Sequence, residues 1–236
     1  MQHNIQSIRQ SETKEELYFF LKQNDIKIAM LQEIWLKKDE HFRMNNYRLE
    51  SYRRPQGYGG VGILIHESLD YRIVDIGNFL PLETVAIEII RGLHPVTICS
   101  VYLPSDRVLN AEIKQKLNEF FERIEYLEGE IMIGGDWNSH HPKWDQHSAP
   151  CQKGHILSSL IEQSKFIILN DGSPTCLLSP GRRDSAIDLT LTTPGLASKL
   201  RWEVINQEFG SIHLCIKVEI ENELPIVNRN ETDKYS

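Results

Sequence analysis

"EIMIGGDWNSHHPKW", residues 130–144, is the stretch on which the reading of the fold turns. Its first half is a short apolar run bounded by glycine, the pattern of a buried strand. Its second half gathers an acid, an amide, two histidines and two tryptophans into the positions that follow. In layered α/β proteins chemistry collects where strands stop, because the strand fixes a side chain while the loop keeps it accessible. Gly134 and Gly135 let the strand end tightly, Asp136 and Asn138 are expected to face a cleft, and Pro142 with Trp144 stiffens the loop beyond. His140 and His141 are read as shaping that loop, since nothing nearby supplies a third metal ligand.

Working outward, strands, helices and polar strand ends recur. Upstream, "SETKEELYFFLKQND" (11–25) places Leu17, Phe20 and Leu21 on one helical face, with Ser11 and Thr13 as candidate caps. "IKIAMLQEIWL" (26–36) is the nearly continuous apolar run of a strand buried on both faces. Beyond Tyr47 come "YRLESY", "GVGILI", "YRIVDI", "TVAIEII" and "PVTICSVYL", an antiparallel meander punctuated by glycine, proline and asparagine. A second helix is expected from Asn110 to Tyr126, where Ile113, Leu117, Phe120, Phe121 and Ile124 carry the 3.6 period. After residue 144 follow helix "KGHILSSLIEQS" and strands "FIILN", "SAIDLTLT", "RWEVINQE" and "HLCIKVEI". The opening "MQHNIQSI" reads as a strand met part-way, as though the domain began earlier. Together these predict an α/β four-layer sandwich, two mainly antiparallel β-sheets flanked by helices, over residues 1–221. Polar, aperiodic residues 222–236 read as a C-terminal tail or linker.

With 236 residues and 40% hydrophobic content, the chain is long enough for one sizeable core. No run approaches the roughly 18 consecutive apolar residues of a membrane helix, and no basic segment with an apolar signal core opens the sequence. A soluble protein made in the cytosol, without a membrane partner, is expected. The net charge of −7 argues against holding nucleic acid by bulk positive charge. A polyanionic partner would need a divalent metal and a few placed basic groups. Cys99, Cys151, Cys176 and Cys215 have no CxxC pair or zinc spacing and read as buried free thiols.

Reading strand ends alone gives a selective set: Asn4 on the first strand, Glu33 ending "AMLQE", Tyr102 ending "ICSVY", Asp136 and Asn138, Asp188 within "SAIDLTL", and His213 opening "HLCIKVEI". Taken singly, each has a plain structural reading: Glu33 paired with Lys37 or Lys38, Asp136 and Asn138 in an Asx turn, Tyr102 in packing, His213 at the core edge. Taken together, they are the types that metal-assisted attack of water on a phosphodiester requires: a carboxylate for Mg²⁺, an aspartate to orient water, amide donors and a His–Asp pair.

"LQEIW", "VYLP", "GGDWNSHHPKW", "SAIDLT" and "GSIHLCI" occur in this order. In that register the chain resembles the endonuclease/exonuclease/phosphatase superfamily, with its DNase I-like sandwich, over nearly its whole length. "GDWNSHHPKW" in particular is similar to the endonuclease domain of insect-type, jockey-like non-LTR retrotransposons. The resemblance implies a DNA nick, dependent on Mg²⁺ or Mn²⁺, that leaves a 3′-hydroxyl to prime reverse transcription. It implies a nuclear site of action and a reverse transcriptase domain in the same original polyprotein. It gives Glu33 to the metal with Asn4 beside it, Asp136 to the attacking water, Asn138 to Asp136 and the phosphate, and Tyr102 to a phosphate oxygen. His213, its tautomer fixed by Asp188, would stabilise the pentacovalent phosphate. Ser211 and Thr175 match positions near the phosphate, and Arg53 or Arg54, before the hairpin "PQGYGGVG", would meet the DNA backbone.

One position breaks the pattern. The superfamily's closing Ser-Asp-His is Ser211-Ile212-His213 here, and losing that carboxylate should weaken metal binding by about 10- to 100-fold. That substitution keeps open a catalytically impaired nucleic-acid-binding remnant, and a second alternative is an abasic-site nuclease or phosphatase of the same superfamily, told apart by its insertion loops.

Overall fold

Side chains alternate between the two faces of a strand, and in this protein the central strands of both sheets are covered on both faces. The computed structural model describes residues 1–90, 95–105, 110–178 and 183–220, so the expected tail at 222–236 lies outside the described residues. The first sheet is built from β1 (Gln2–Asn4), β2 (Ile28–Gln32), β3 (Tyr47–Tyr52) and β4 (Val61–His66). The second takes β5 (Tyr71–Ile73), β6 (Glu83–Ile89), β7 (Val96–Tyr102), β8 (Glu130–Asp136), β9 (Ile167–Ile168) and β10 (Asp188–Thr192). Strands β11 (Leu200–Ile205) and β12 (Cys215–Ile220) return to the first sheet. The helices are α1 (Ser11–Gln23), α2 (Ala111–Glu125), α3 (Gln152–Gln163) and the short α4 (Pro194–Ala197).

The strand orders are β11-β12-β1-β2-β4-β3 and β5-β6-β7-β8-β10-β9. Each sheet has a parallel pair at its centre, β1 with β2 and β7 with β8, and antiparallel pairs elsewhere. Parallel neighbours need a crossover, and α1 and α2 supply the two.

Three apolar clusters mark the interfaces between layers. Leu17 and Leu21 of α1 pack with Ala29, Leu31 and Leu64 on the outer face of the first sheet. Ile113, Leu117, Phe120, Phe121 and Ile124 of α2, with Leu157 and Ile161 of α3, cover Ile131, Ile133, Leu189 and Leu191 of the second. Between the sheets, Met30, Ile63 and Ile65 meet Ile87, Ile98 and Met132. The sandwich therefore has four layers, as the periodicity predicts. The α2 stripe lies wholly in the core, and Leu117→Ala should destabilise by about 2–5 kcal/mol.

Local details depart from the expectations. Ser11 and Thr13 do not cap α1: Gln10 is the N-cap residue and makes no side-chain cap bond. Asn110 does cap α2, its side chain accepting from Ile113 N at 2.9 Å. "FIILN" yields a two-residue strand and "YRIVDI" a three-residue one, because both lie at sheet edges with a single neighbour to pair with. "HLCIKVEI" enters the sheet only at Cys215, and His213 instead bridges Cys176. All four cysteines are free, but Cys151 is only half-buried, its Sγ capping α3.

Candidate active site

The C-terminal ends of the central strands stand side by side, and their register sets a row of polar residues. Across the second sheet Glu83 of β6 lies opposite Tyr102 of β7, Tyr102 opposite Asp136 of β8, and Asp136 opposite Asp188 of β10. Gly135 is required behind this row, because a Cβ there would stand 2.0 Å from the Val101 carbonyl oxygen. On the first sheet β1 ends at Asn4, and Glu33 follows β2 directly with φ +52, a left-handed conformation at the strand exit.

Hydrogen bonds join the two rows. Asn4 Nδ2 donates to Glu33 Oε1 and to Asp136 Oδ2, both at 2.9 Å. Trp35 Nε1 donates to Glu33 Oε2 at 3.0 Å. Asp136 accepts the Asn138 backbone N–H on Oδ1 and the Asn138 side-chain amide on Oδ2, each at 2.9 Å. The Asx turn considered as the plain reading of these two residues is thus present and leaves the carboxylate in the cluster. His213 Nδ1 pairs with Asp188 Oδ2 at 2.8 Å, and Thr175 Oγ1 donates to the same oxygen at 2.7 Å. Ser211 Oγ donates to the Asn4 carbonyl at 2.7 Å and accepts the His213 backbone N–H at 3.1 Å, fastening the loop before β12 to β1.

Burial and charge tune these groups. Burial, then the neighbouring Asp188 charge, pushes Asp136 up to about 7, although His213, the Asn138 N–H and the Asn4 amide pull the other way. Burial works to lower His213, but the charge and hydrogen bond of Asp188 outweigh it and hold the imidazole well above its usual 6.5. Burial raises Tyr102, and the Glu33 and Asp136 charges raise it further, so its hydroxyl remains a donor. A carboxyl titrating near neutrality suits proton transfer from water.

Asp136, Asp188 and His213 offer ligand atoms all within 4.8 Å of one another, and Asp188 Oδ1 is buried without a hydrogen-bond partner. Carboxylate oxygens here and on Glu33 suit a hard divalent cation.

The family model described as Endonuclease-reverse transcriptase matches residues 96–217, from the start of β7 into β12. The chain belongs to that family. It has the endonuclease/exonuclease/phosphatase fold of the retrotransposon endonuclease type. A similar curated protein is the RNA-directed DNA polymerase from mobile element jockey of Drosophila melanogaster, 24% identical over 206 residues, which are 86% of this chain and 22% of that protein. The chain therefore spans about a fifth of that relative's length. Among solved structures, the endonuclease domain of TRAS1, a telomere-specific non-LTR retrotransposon, superposes with a TM-score of 0.76 at 19% identity, covering 94% of this chain and 98% of that one. The AP endonuclease LMAP from Leishmania major gives 0.75 at 14% identity, covering 94% and 86%. These likenesses establish the fold.

Within this Endonuclease-reverse transcriptase domain the structure brings together Asn4, Glu33, Tyr102, Asp136, Asn138, Thr175, Asp188, Ser211 and His213. The two Glu33 oxygens are taken by Asn4 and Trp35, and among the described residues neither Lys37 nor Lys38 pairs with it. Arg53 is held elsewhere, donating to the Glu40 carbonyl at 2.6 Å and Ser51 Oγ at 2.8 Å. It lines an open groove of about 520 Å³ with Arg43 and Arg48. Arg54 is ion-paired with buried Glu83, whose other oxygen accepts Gly60 N at 2.6 Å. In the loop, His140 Nδ1 pairs with Asp145 at 2.8 Å, His141 lies against Trp144 and His155, and Trp144 Nε1 donates to the Ser139 carbonyl at 3.0 Å. Ile212 is 48% exposed beside the site, its N–H donating to Gln6 Oε1 at 3.3 Å.

Sequence reading missed Glu83 and Trp35. The signal for Glu83 was a charge at the very start of a strand, "ETVAIEI", five residues and therefore one face away from the strand's other glutamate, Glu88. For Trp35 it was an indole two residues beyond a strand-end carboxylate.

Proposed function

We propose that this domain is a metal-dependent endonuclease that nicks duplex DNA, leaving a 3′-hydroxyl to prime reverse transcription by a polymerase domain of the same polyprotein. The observation that carries the reading is the Asn4 amide bridging Glu33 and Asp136 beside the Asp188–His213 pair. Glu33, with Asn4 at its side, would hold Mg²⁺ or Mn²⁺, which when bound neutralises charge on the phosphate and lowers the pKa of water. Asp136 takes the proton of the attacking water as its oxygen bonds to phosphorus, the P–O3′ bond breaks, and the leaving 3′-oxygen takes a proton from solvent water to become the 3′-hydroxyl. Asn138 keeps the Asp136 carboxylate oriented. His213, its Nδ1 occupied by Asp188, presents its other nitrogen to the phosphate, where a charged imidazole stabilises the developing negative charge. Thr175 fixes Asp188 in turn. Tyr102 donates to a phosphate oxygen, and Arg54 lies close enough to the row to meet the DNA backbone. On this reading the domain acts in the nucleus, where the DNA it would nick is found.

A second reading is favoured by Ile212, an apolar, half-exposed residue directly before His213: a nucleic-acid-binding domain with impaired turnover. A supercoiled-plasmid assay separates the two. Open circles that appear with Mg²⁺ and vanish with EDTA support the nuclease. DNA retention without nicking in either Mg²⁺ or Mn²⁺ supports the impaired domain. Cleavage confined to a duplex carrying an abasic site would reassign the substrate.

A further inference from the structure

Directly behind the acidic cluster the layer between the sheets is polar, and the mechanism above leaves its members without a task. Gln2 precedes Asn4 by one side-chain period on the same face of β1 and is wholly buried. Its Nε2 donates to the Gly135 carbonyl at 3.3 Å, and its Oε1 accepts from Thr190 Oγ1 at 2.9 Å. Thr190 Oγ1 in turn accepts from Trp202 Nε1 at 3.0 Å. One amide thus grips two adjacent strands of the opposite sheet, at the residue before Asp136 and the second residue after Asp188. Gly134 makes the room, since a Cβ there would stand 2.6 Å from Gln2 Oε1 and from Met30 Cε. A second tie runs from Gln32 Nε2 to Ser100 Oγ at 2.9 Å and from Ser100 Oγ to the Leu31 carbonyl at 3.2 Å, just before Glu33 and Tyr102.

Met30 and Met132 in the same layer show that apolar side chains of similar length pack between these sheets. An apolar contact has no direction, so it presses the sheets together without singling out one lateral offset. Paired amide hydrogen bonds fix that offset. Asn4 depends on it, because its two 2.9 Å bonds end on carboxylates of different sheets.

We propose that Gln2 is a positioning residue: its amide locks the offset of the two sheets, so that the half-site of β1 and β2 meets the half-site of β8 and β10. The reaction served rests on the nicking function proposed above. Gln2→Met keeps the length of the side chain and removes both ties. The kcat for Mg²⁺-dependent nicking should fall by about 10- to 100-fold, the usual loss when a group that orients site ligands is removed. KM for DNA should not change, and the thermal midpoint should fall by no more than a few degrees, the cost of leaving the Thr190 hydroxyl and the Gly135 carbonyl without the Gln2 amide. In metal-free protein the Asn4 side-chain amide protons, followed by NMR, should exchange faster than in wild type. Met132→Leu, which repacks the same layer without touching the lock, should leave kcat and Asn4 exchange as they were. Unaltered Asn4 exchange in Gln2→Met, or equal acceleration in Met132→Leu, overturns the lock. Faster exchange with an unchanged kcat overturns its role in the reaction. A wild-type protein that does not nick sinks the proposed function, and Asn4 exchange still decides whether the lock exists.

Discussion

The central parallel pairs of the two sheets follow one plan and are held by different forces. In each, a crossover helix joins two strands whose ends deliver site residues: Asn4 and Glu33 from β1–α1–β2, Tyr102 and Asp136 from β7–α2–β8. The second pair shares seven registered positions, from Val96 opposite Glu130 to Tyr102 opposite Asp136. The first shares three, and β1 meets β12 at one position, Gln2 opposite Ile216. Beyond the short strands the first sheet continues through left-handed residues, Gln6, Ser7, Glu33 and Trp35, conformations that non-glycine residues hold only when their surroundings over-determine them. The second half-site is thus a platform fixed by backbone ladders. The first is held in place by side chains: Trp35 on Glu33, Ser211 on the Asn4 carbonyl, Gln2 across the interior.

If that contrast is right, substitutions on the platform should remove chemistry without disturbing the fold, while those on the first half-site should act through geometry. Asp136→Asn should reduce nicking by about a thousandfold and leave the thermal midpoint unchanged or raised, since it deletes a buried charge. Single-turnover plasmid assays beside a melting curve test both parts, and a collapse in stability would show that the platform is not independent of its carboxylate.

Arg54→Met asks how the glycine hairpin of the first sheet is fastened to the second. It leaves Glu83 buried and unpaired, and should destabilise by about 3 kcal/mol. Burial already raises Glu83 above the usual carboxylate range, and losing Arg54 raises it further. An acid with a raised folded pKa is destabilising where it must ionise, so the defect should be largest at alkaline pH and shrink as pH falls and the carboxyl protonates. Denaturant midpoints measured over a pH series would expose an opposite slope.

Trp35→Phe keeps the aromatic bulk and deletes the donor to Glu33 Oε2. Nicking should fall by about tenfold at limiting Mg²⁺ and recover as the metal is raised. The same deficit at every metal concentration would mean that Trp35 does not act through Glu33. Ile212→Asp restores a carboxylate beside His213 and should raise nicking at limiting Mg²⁺ by up to about tenfold, with stability within about 0.5 kcal/mol because the position is half-exposed. An active enzyme left unchanged by this substitution would remove Ile212 from the account of metal affinity.

Periodicity located the long elements because their buried faces repeat over many residues. The α2 stripe and the β7 and β8 ladders fall where the apolar spacing puts them. It failed at sheet edges, where "FIILN" and "YRIVDI" have the composition of strands but lack neighbours, and at α1, where the candidate cap residues lie inside the helix. Among site residues, those at strand ends were legible because a polar group closing an apolar run stands out. Glu83 was not, for its partner Arg54 lies 29 residues away, and Arg53 and Arg54 could not be told apart until one was found on Glu83 and the other on Glu40.

What the sequence determined by itself was the set of parts: which runs bury, which polar residues terminate them, and the substitution at Ile212. Only the tertiary structure decided the pairing of those parts. Hydrophobic burial specifies that two sheets face each other without fixing their offset. That offset, set by directional bonds between residues such as Gln2 and Thr190 that lie 188 positions apart, brings Asn4 of one sheet to Asp136 of the other.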